Sequence, residues 1–127
     1  MTKIYRDVLD KQRLEVFEKL RVLARDGGVL ADLASNKAFT IGKRGIWRDY
    51  VDVFFLLKFK LVSLDQVIEE ANKRFEDQFS AKLFLEQLVY TKDIVDFNID
   101  FLGKACLPEE INSYLEDEVK EYIKTLA

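Results

Sequence analysis

The chain has 127 residues, of which 49% are hydrophobic and 34% charged, and a net charge of −3. That length and balance suit one soluble globular domain and exclude a disordered chain and a general nucleic-acid-binding polycation. With no histidine and a single cysteine, histidine-dependent nucleophilic catalysis, histidine metal sites, cysteine zinc sites and an internal disulfide are excluded as well.

Gly occurs five times and Pro once, so few residues interrupt a helix. The spacing predicts a first helix from about Ile4 to Arg25, with Leu9, Val16, Phe17, Leu20, Leu23 and Ala24 on one face. Gly27-Gly28 ends it, because glycine accepts the left-handed conformation of a C-terminal cap. A second helix runs from Asp32, as N-cap, to Ile41. Gly42 and Gly45 then bracket a Lys43-Arg44 turn. The third helix takes Trp47 to about Lys60. Its run Val53-Phe54-Phe55-Leu56-Leu57 is apolar around most of the circumference, which places it at the centre of the domain.

Ser63-Leu64-Asp65-Gln66 reads as a capping box that opens a helix to about Phe75, with Leu64, Val67, Ile68, Ala71 and Phe75 on its inner face. A fifth helix spans about Ser80 to Tyr90, with Leu83, Phe84, Gln87 and Leu88 on its inner face. In 91–107, Phe97, Ile99 and Phe101 alternate with polar residues, but no partner strand is evident, so the stretch reads as extended or irregular. Pro108 starts a last helix to about Thr125. Glu109 and Glu110 sit where the helix dipole favours anions, and Ile111, Leu115, Val119, Tyr122 and Leu126 form the apolar stripe. The expected fold is all-α: residues 1–127 form a single compact domain of five or six helices in an orthogonal or irregular bundle.

No phosphate loop of the GxxxxGKS/T type and no GxGxxG occurs, so chemistry would rest on carboxylates, Lys, Tyr or a bound metal. Cys106, between Ala105 and Leu107, reads as a buried, inert thiol. No apolar run approaches a membrane span and no signal-peptide core opens the chain, so the expected location is cytoplasmic, with no membrane partner. Charge is uneven. Residues 1–30 carry seven Lys/Arg against five Asp/Glu, whereas residues 107–127 carry two against six. The acidic last helix reads as a solvated face whose charge would suit a basic partner.

The most informative stretch is Lys43 to Lys58, KRGIWRDYVDVFFLLK. Arg48, Asp49 and Asp52 stand at i,i+3 and i,i+4 spacings at the entrance of the apolar helix, so they are expected on one face. Charges there must be paired, solvated in a cleft, or used. One reading is structural: the aspartates meet the helix dipole while Arg48 pairs with Asp52. The other is a polar cluster facing a cleft, with Lys37, Asp49 and Asp52 as the candidate catalytic set. Lys37 would neutralise an aspartate or reach a phosphate. Lys43, Arg44, Trp47 and Arg48 are the candidate nucleotide or nucleic-acid contact, with the indole as a stacking surface. The alternative is an ordinary solvated turn with Trp47 capping the core. No metal-ligand set is read in the chain.

Asp32 to Lys58, DLASNKAFTIGKRGIWRDYVDVFFLLK, resembles the later half of nucleotidyltransferase toxins of the AbiEii/AbiGii type. The likeness covers residues 32–95. It rests on Lys37, on Arg44 in its turn, on the Arg48–Asp52 stretch with its apolar sequel, and on the helix start Ser63-Leu64-Asp65. In such proteins an α/β core with a Gly-Ser turn and an Asp-x-Asp pair holds metal and nucleoside triphosphate. The helical part lends the lysine and the paired aspartates to the cleft. The present sequence contains neither Gly-Ser nor Asp-x-Asp. The resemblance therefore implies a truncated relative, a remnant, or one half of a split protein.

Three functions follow as expectations. The first is a non-catalytic helical binding module for a protein partner, a nucleotide or RNA. The second is an enzyme half completed by a separate core chain, which would bring Mg²⁺; otherwise no cofactor is expected. The third is an unrelated helical structural protein. A homodimer is also expected, on the premise that Trp47 and Tyr50 are exposed and that Arg48 of one copy meets Asp49 or Asp52 of the other.

Overall fold

The structure is a computed structural model that describes residues 29–99 and 105–126. Among them are five α-helices, one short 3-10 turn and no strand, so the fold is all-α. The helix expected from Ile4 to Arg25, and its Gly27-Gly28 stop, lie outside the described residues.

Helix α1 spans Val29–Gly42. It begins three residues before the expected start, so Asp32 is not its N-cap but an acidic residue of the first turn. Nothing between Gly28 and Asp32 breaks a helix, and Leu30 is buried in the core. Ala34, Ala38 and Ile41 follow on the same face and are fully buried, a spacing of four and three that defines one helical stripe. Ser35 is buried too. Its hydroxyl donates to the Asp32 carbonyl at 2.9 Å and accepts from Arg74 Nη1 at 2.8 Å. Arg74 Nη1 also donates to the Asp32 carbonyl at 2.7 Å, which ties α1 to a residue 42 positions on.

Helix α2 spans Trp47–Lys58, and eight of its twelve residues are buried. Phe54 and Leu57 are among them, as the apolar run requires. The helix stops two residues short of the expected Lys60. Phe59 is the C-cap, and Lys60 adopts a left-handed backbone with φ 59. That reversal lets the Leu61 and Val62 amides return to the Leu56 carbonyl at 3.0 and 3.3 Å, satisfying the helix end.

Helix α3, Leu64–Phe75, opens on the expected reciprocal cap. Gln66 N donates to Ser63 Oγ at 3.2 Å, and Ser63 N donates to Gln66 Oε1 at 2.9 Å. Its buried residues are Leu64, Val67, Ile68 and Ala71. At its far end Phe75 stacks on Phe39 of α1, with centroids 4.2 Å apart. The 3-10 turn Glu76–Gln78 leads to α4, Ala81–Val89, which is capped by Ser80. Only Phe84 and Leu88 of α4 are buried. Leu83, expected inward, is exposed, because a nine-residue helix presents a narrow stripe to α1.

Residues 91–99 form no regular element, as expected, and Phe101 of the expected alternation lies outside the described residues. Ile94, Phe97 and Ile99 lean on the core while Val95, Asp96 and Asn98 are exposed. Cys106 is half-buried rather than sealed. Helix α5, Pro108–Thr125, has Pro at its start and buries Ile111, Leu115 and Val119. Leu126, expected on this stripe, is exposed beyond the helix end. Helix α1 packs against α2, α3 and α4, and α5 closes the bundle against α4, α2 and α3. The α1–α2 contact is what positions the charged residues.

Candidate functional site

The turn between α1 and α2 is built tightly. Lys43 N donates to the Thr40 carbonyl and Arg44 N to the Ile41 carbonyl, and Arg44 adopts φ 79. A left-handed arginine is uncommon and is held by its surroundings. Gly45 follows with no room for a side chain. A Cβ there would meet Asp49 Oδ2 at 3.0 Å and the Cα and Cγ1 of Ile41 at 3.2 Å. The missing side chain lets the loop pass beside the carboxylate.

Asp49 is nearly buried, 7% exposed, at the third position of α2. Its Oδ2 accepts from Ile46 N at 3.0 Å and its Oδ1 accepts from Lys37 Nζ at 3.0 Å. The helix start adds a favourable dipole. Asp52, one turn on, places Oδ2 3.0 Å from the same ammonium. Lys37 therefore bridges both carboxylates from α1. The Lys37 side chain is 24% exposed, Asp49 10% and Asp52 41%, so the cluster grades from core to surface. Burial works to lower the lysine pKa. Hydrogen bonds and charge from Asp52 and Asp49 outweigh that, and the net direction is upward. The Tyr50 phenol is pushed up to about 12, by burial first and then by the negative charges of Asp93 and Asp49.

Arg48 does not join this cluster. It is exposed, and Asp52 pairs with Lys37 in its place. Trp47 is no stacking platform either. It is 2% exposed, packed edge-on to Phe97 at 4.9 Å and near-parallel to Tyr50 at 5.7 Å. Lys43 turns back over the Phe39 ring, 4.3 Å from its centroid. Of the four residues expected as a nucleic-acid contact, Arg44 and Arg48 line one cleft, Lys43 lies apart from it, and Trp47 forms part of its floor. The burial of Trp47 and Tyr50 also removes the exposed aromatic surface on which the expected dimer face relied.

That cleft, about 510 Å³, separates the start of α2 from residues 93–99. Arg44 and Arg48 come from the α2 side and Asp93 and Asp96 from the side of residues 93–99, with Ile46, Ile94 and Val95 also in the lining. The acidic side was not legible in the sequence, because an irregular segment has no period that assigns its side chains to a face.

The comparisons with known proteins return nothing. No protein-family model matches the chain, and no curated protein or solved structure matches it significantly.

The charged cluster does not fit a resident metal. Both Asp49 oxygens are taken by Lys37 and Ile46 N–H, and an ammonium stands between the two carboxylates. Among the described residues, no three metal-ligating side chains of His, Cys, Asp or Glu gather elsewhere.

Proposed function

We propose that the chain is a non-catalytic helical binding module related to the C-terminal part of AbiEii-type nucleotidyltransferases. The supporting observation is convergence. Lys37, Asp49 and Asp52, which the resemblance assigns to one cleft, meet at a single ammonium across the α1–α2 contact. Lys37 and Asp52 remain accessible, so a docking partner can touch them. Binding is favoured over catalysis because two-metal phosphoryl transfer gathers acidic ligands around metal and triphosphate. Here the inner carboxylate is already satisfied. The partner that fits is a protein core carrying Gly-Ser and Asp-x-Asp, with its nucleotide. The enzyme-half reading differs only in making that complex active, and the partial exposure of Asp52 and Lys37 is what favours it.

The test combines the chain with a separately produced AbiEii-type core and measures association by calorimetry. Association weakened by Lys37→Glu supports the module. Absence of association with core, nucleotide and RNA overturns it. In parallel, labelled nucleoside triphosphate, Mg²⁺ or Mn²⁺ and total RNA are incubated with the chain, where no labelling is expected. RNA labelling by the mixture alone, abolished in Asp49→Asn, selects the enzyme half.

A further inference from the structure

The cleft at the start of α2 has an unusual charge layout. Arg44 and Arg48 occupy one rim, and Asp93 and Asp96 the other. All four are exposed. Among the described residues none of the four forms an ion pair within 4.0 Å. Among the described residues, the Asp96 carboxylate is engaged locally, accepting from Asn98 N at 2.9 Å. Two exposed aliphatic side chains line the same cleft. Ile46 is 68% exposed and Val95 is 94% exposed, the highest among the described large hydrophobics. An apolar centre rimmed by charge is the make-up of an interaction surface.

We propose that this face is the interface between two copies of the chain, related by a two-fold axis. The argument is self-complementarity. A two-fold contact presents the same patch from both sides, so each group on one rim must meet its opposite on the partner's other rim. A patch with cations along one edge and anions along the other satisfies this when the axis passes between the edges. Arg44 and Arg48 of each copy then face Asp93 and Asp96 of the other, and Ile46 and Val95 meet at the centre. A uniformly acidic or basic partner would meet repulsion from one rim, whereas a second copy meets none. This dimer does not depend on the nucleotidyltransferase reading, since it uses neither Lys37 nor Asp52.

Charge reversal tests it. One variant carries Arg44→Glu and Arg48→Glu, and the second carries Asp93→Arg and Asp96→Arg. Circular dichroism first establishes that both are helical. Sedimentation equilibrium then follows the parent chain, each variant and their equimolar mixture. The parent should dimerise, and more weakly as salt rises. Each variant should be monomeric because its two rims now carry one sign, and the mixture should regain the dimer because each altered rim meets its complement. Arg44→Gly alone should weaken the dimer without lowering the melting temperature measured at concentrations where the parent is monomeric, since glycine accepts the left-handed backbone at that position. A parent that stays monomeric at every concentration overturns the proposal. So does a parent dimer that persists in both variants, which would put the interface elsewhere.

Discussion

The Lys37 ammonium stands 3.0 Å from Asp49 Oδ1, and that contact joins the middle of α1 to the first turn of α2. The same ammonium reaches Asp52 at the same distance, but the two pairs lie in different surroundings. Asp49 is sealed and Asp52 is partly in water. Charge pairs lose strength with solvent exposure. A double-mutant cycle of Lys37→Met with Asp49→Asn should therefore give a coupling of about 1–2 kcal/mol. The cycle with Asp52→Asn should give about 0.2–1 kcal/mol. Urea denaturation of the six proteins measures both. An Asp52 coupling equal to or larger than that of Asp49 would contradict the burial gradient.

Phe54 is 1% exposed and meets Tyr114 of α5 edge-to-face at 5.3 Å. Phe54→Ala removes a ring between α2 and α5 that no neighbour can replace. The expected loss is about 3–5 kcal/mol, the usual range for an aromatic cavity in a core. Chemical denaturation followed by circular dichroism checks it, and parental stability would show that α2 is not central.

Gly45→Ala places a methyl group against Asp49 Oδ2 and the Ile41 backbone. The backbone of Ile41 cannot yield as a side-chain tip would. A loss of about 1–3 kcal/mol is expected from overpacking. The displaced carboxylate should also weaken the Lys37–Asp49 coupling when the cycle is repeated in the Gly45→Ala background. Retention of both stability and coupling would show that the turn has slack.

Tyr50 and Tyr114 are each pushed up to about 12, Tyr50 by burial and then Asp93 and Asp49, Tyr114 by burial and then its hydrogen bond to Glu118. In the unfolded chain both ionise near 10.0. Between these values the folded state holds protons that the unfolded state has released, so folding stability falls as pH rises. Lys37 acts in the same direction. Its stabilisation is complete below the ordinary value of 10.5 and is lost as pH rises through its elevated folded value. Spectrophotometric titration should show tyrosinate absorbance from these two rings appearing late. Denaturation at stepped alkaline pH should show stability declining from about pH 10 to 12. Stability that is flat or rising across that window would refute the assignment.

Local sequence determined most of the helices, because their signals are short-range. Ser63 with Gln66, Pro108 with its two glutamates, and the run from Val53 to Leu57 each carry their own start, stop or inward face within a few residues. The sequence also singled out Lys37, Asp49 and Asp52, and left open whether Lys37 neutralises one of the aspartates or reaches a phosphate. Helical spacing places Arg48 as close to Asp52 as any partner, and only the packing of α1 on α2 brings Lys37 between the two aspartates instead. The fate of Trp47 was equally a tertiary matter. An indole beside three cations reads as a surface contact until Phe97, fifty residues away, closes over it. The cleft lies furthest from what a sequence can specify, since its acidic rim comes from a segment without regular hydrogen bonding. Periodicity assigns a face only where the backbone repeats, and between 91 and 99 it does not.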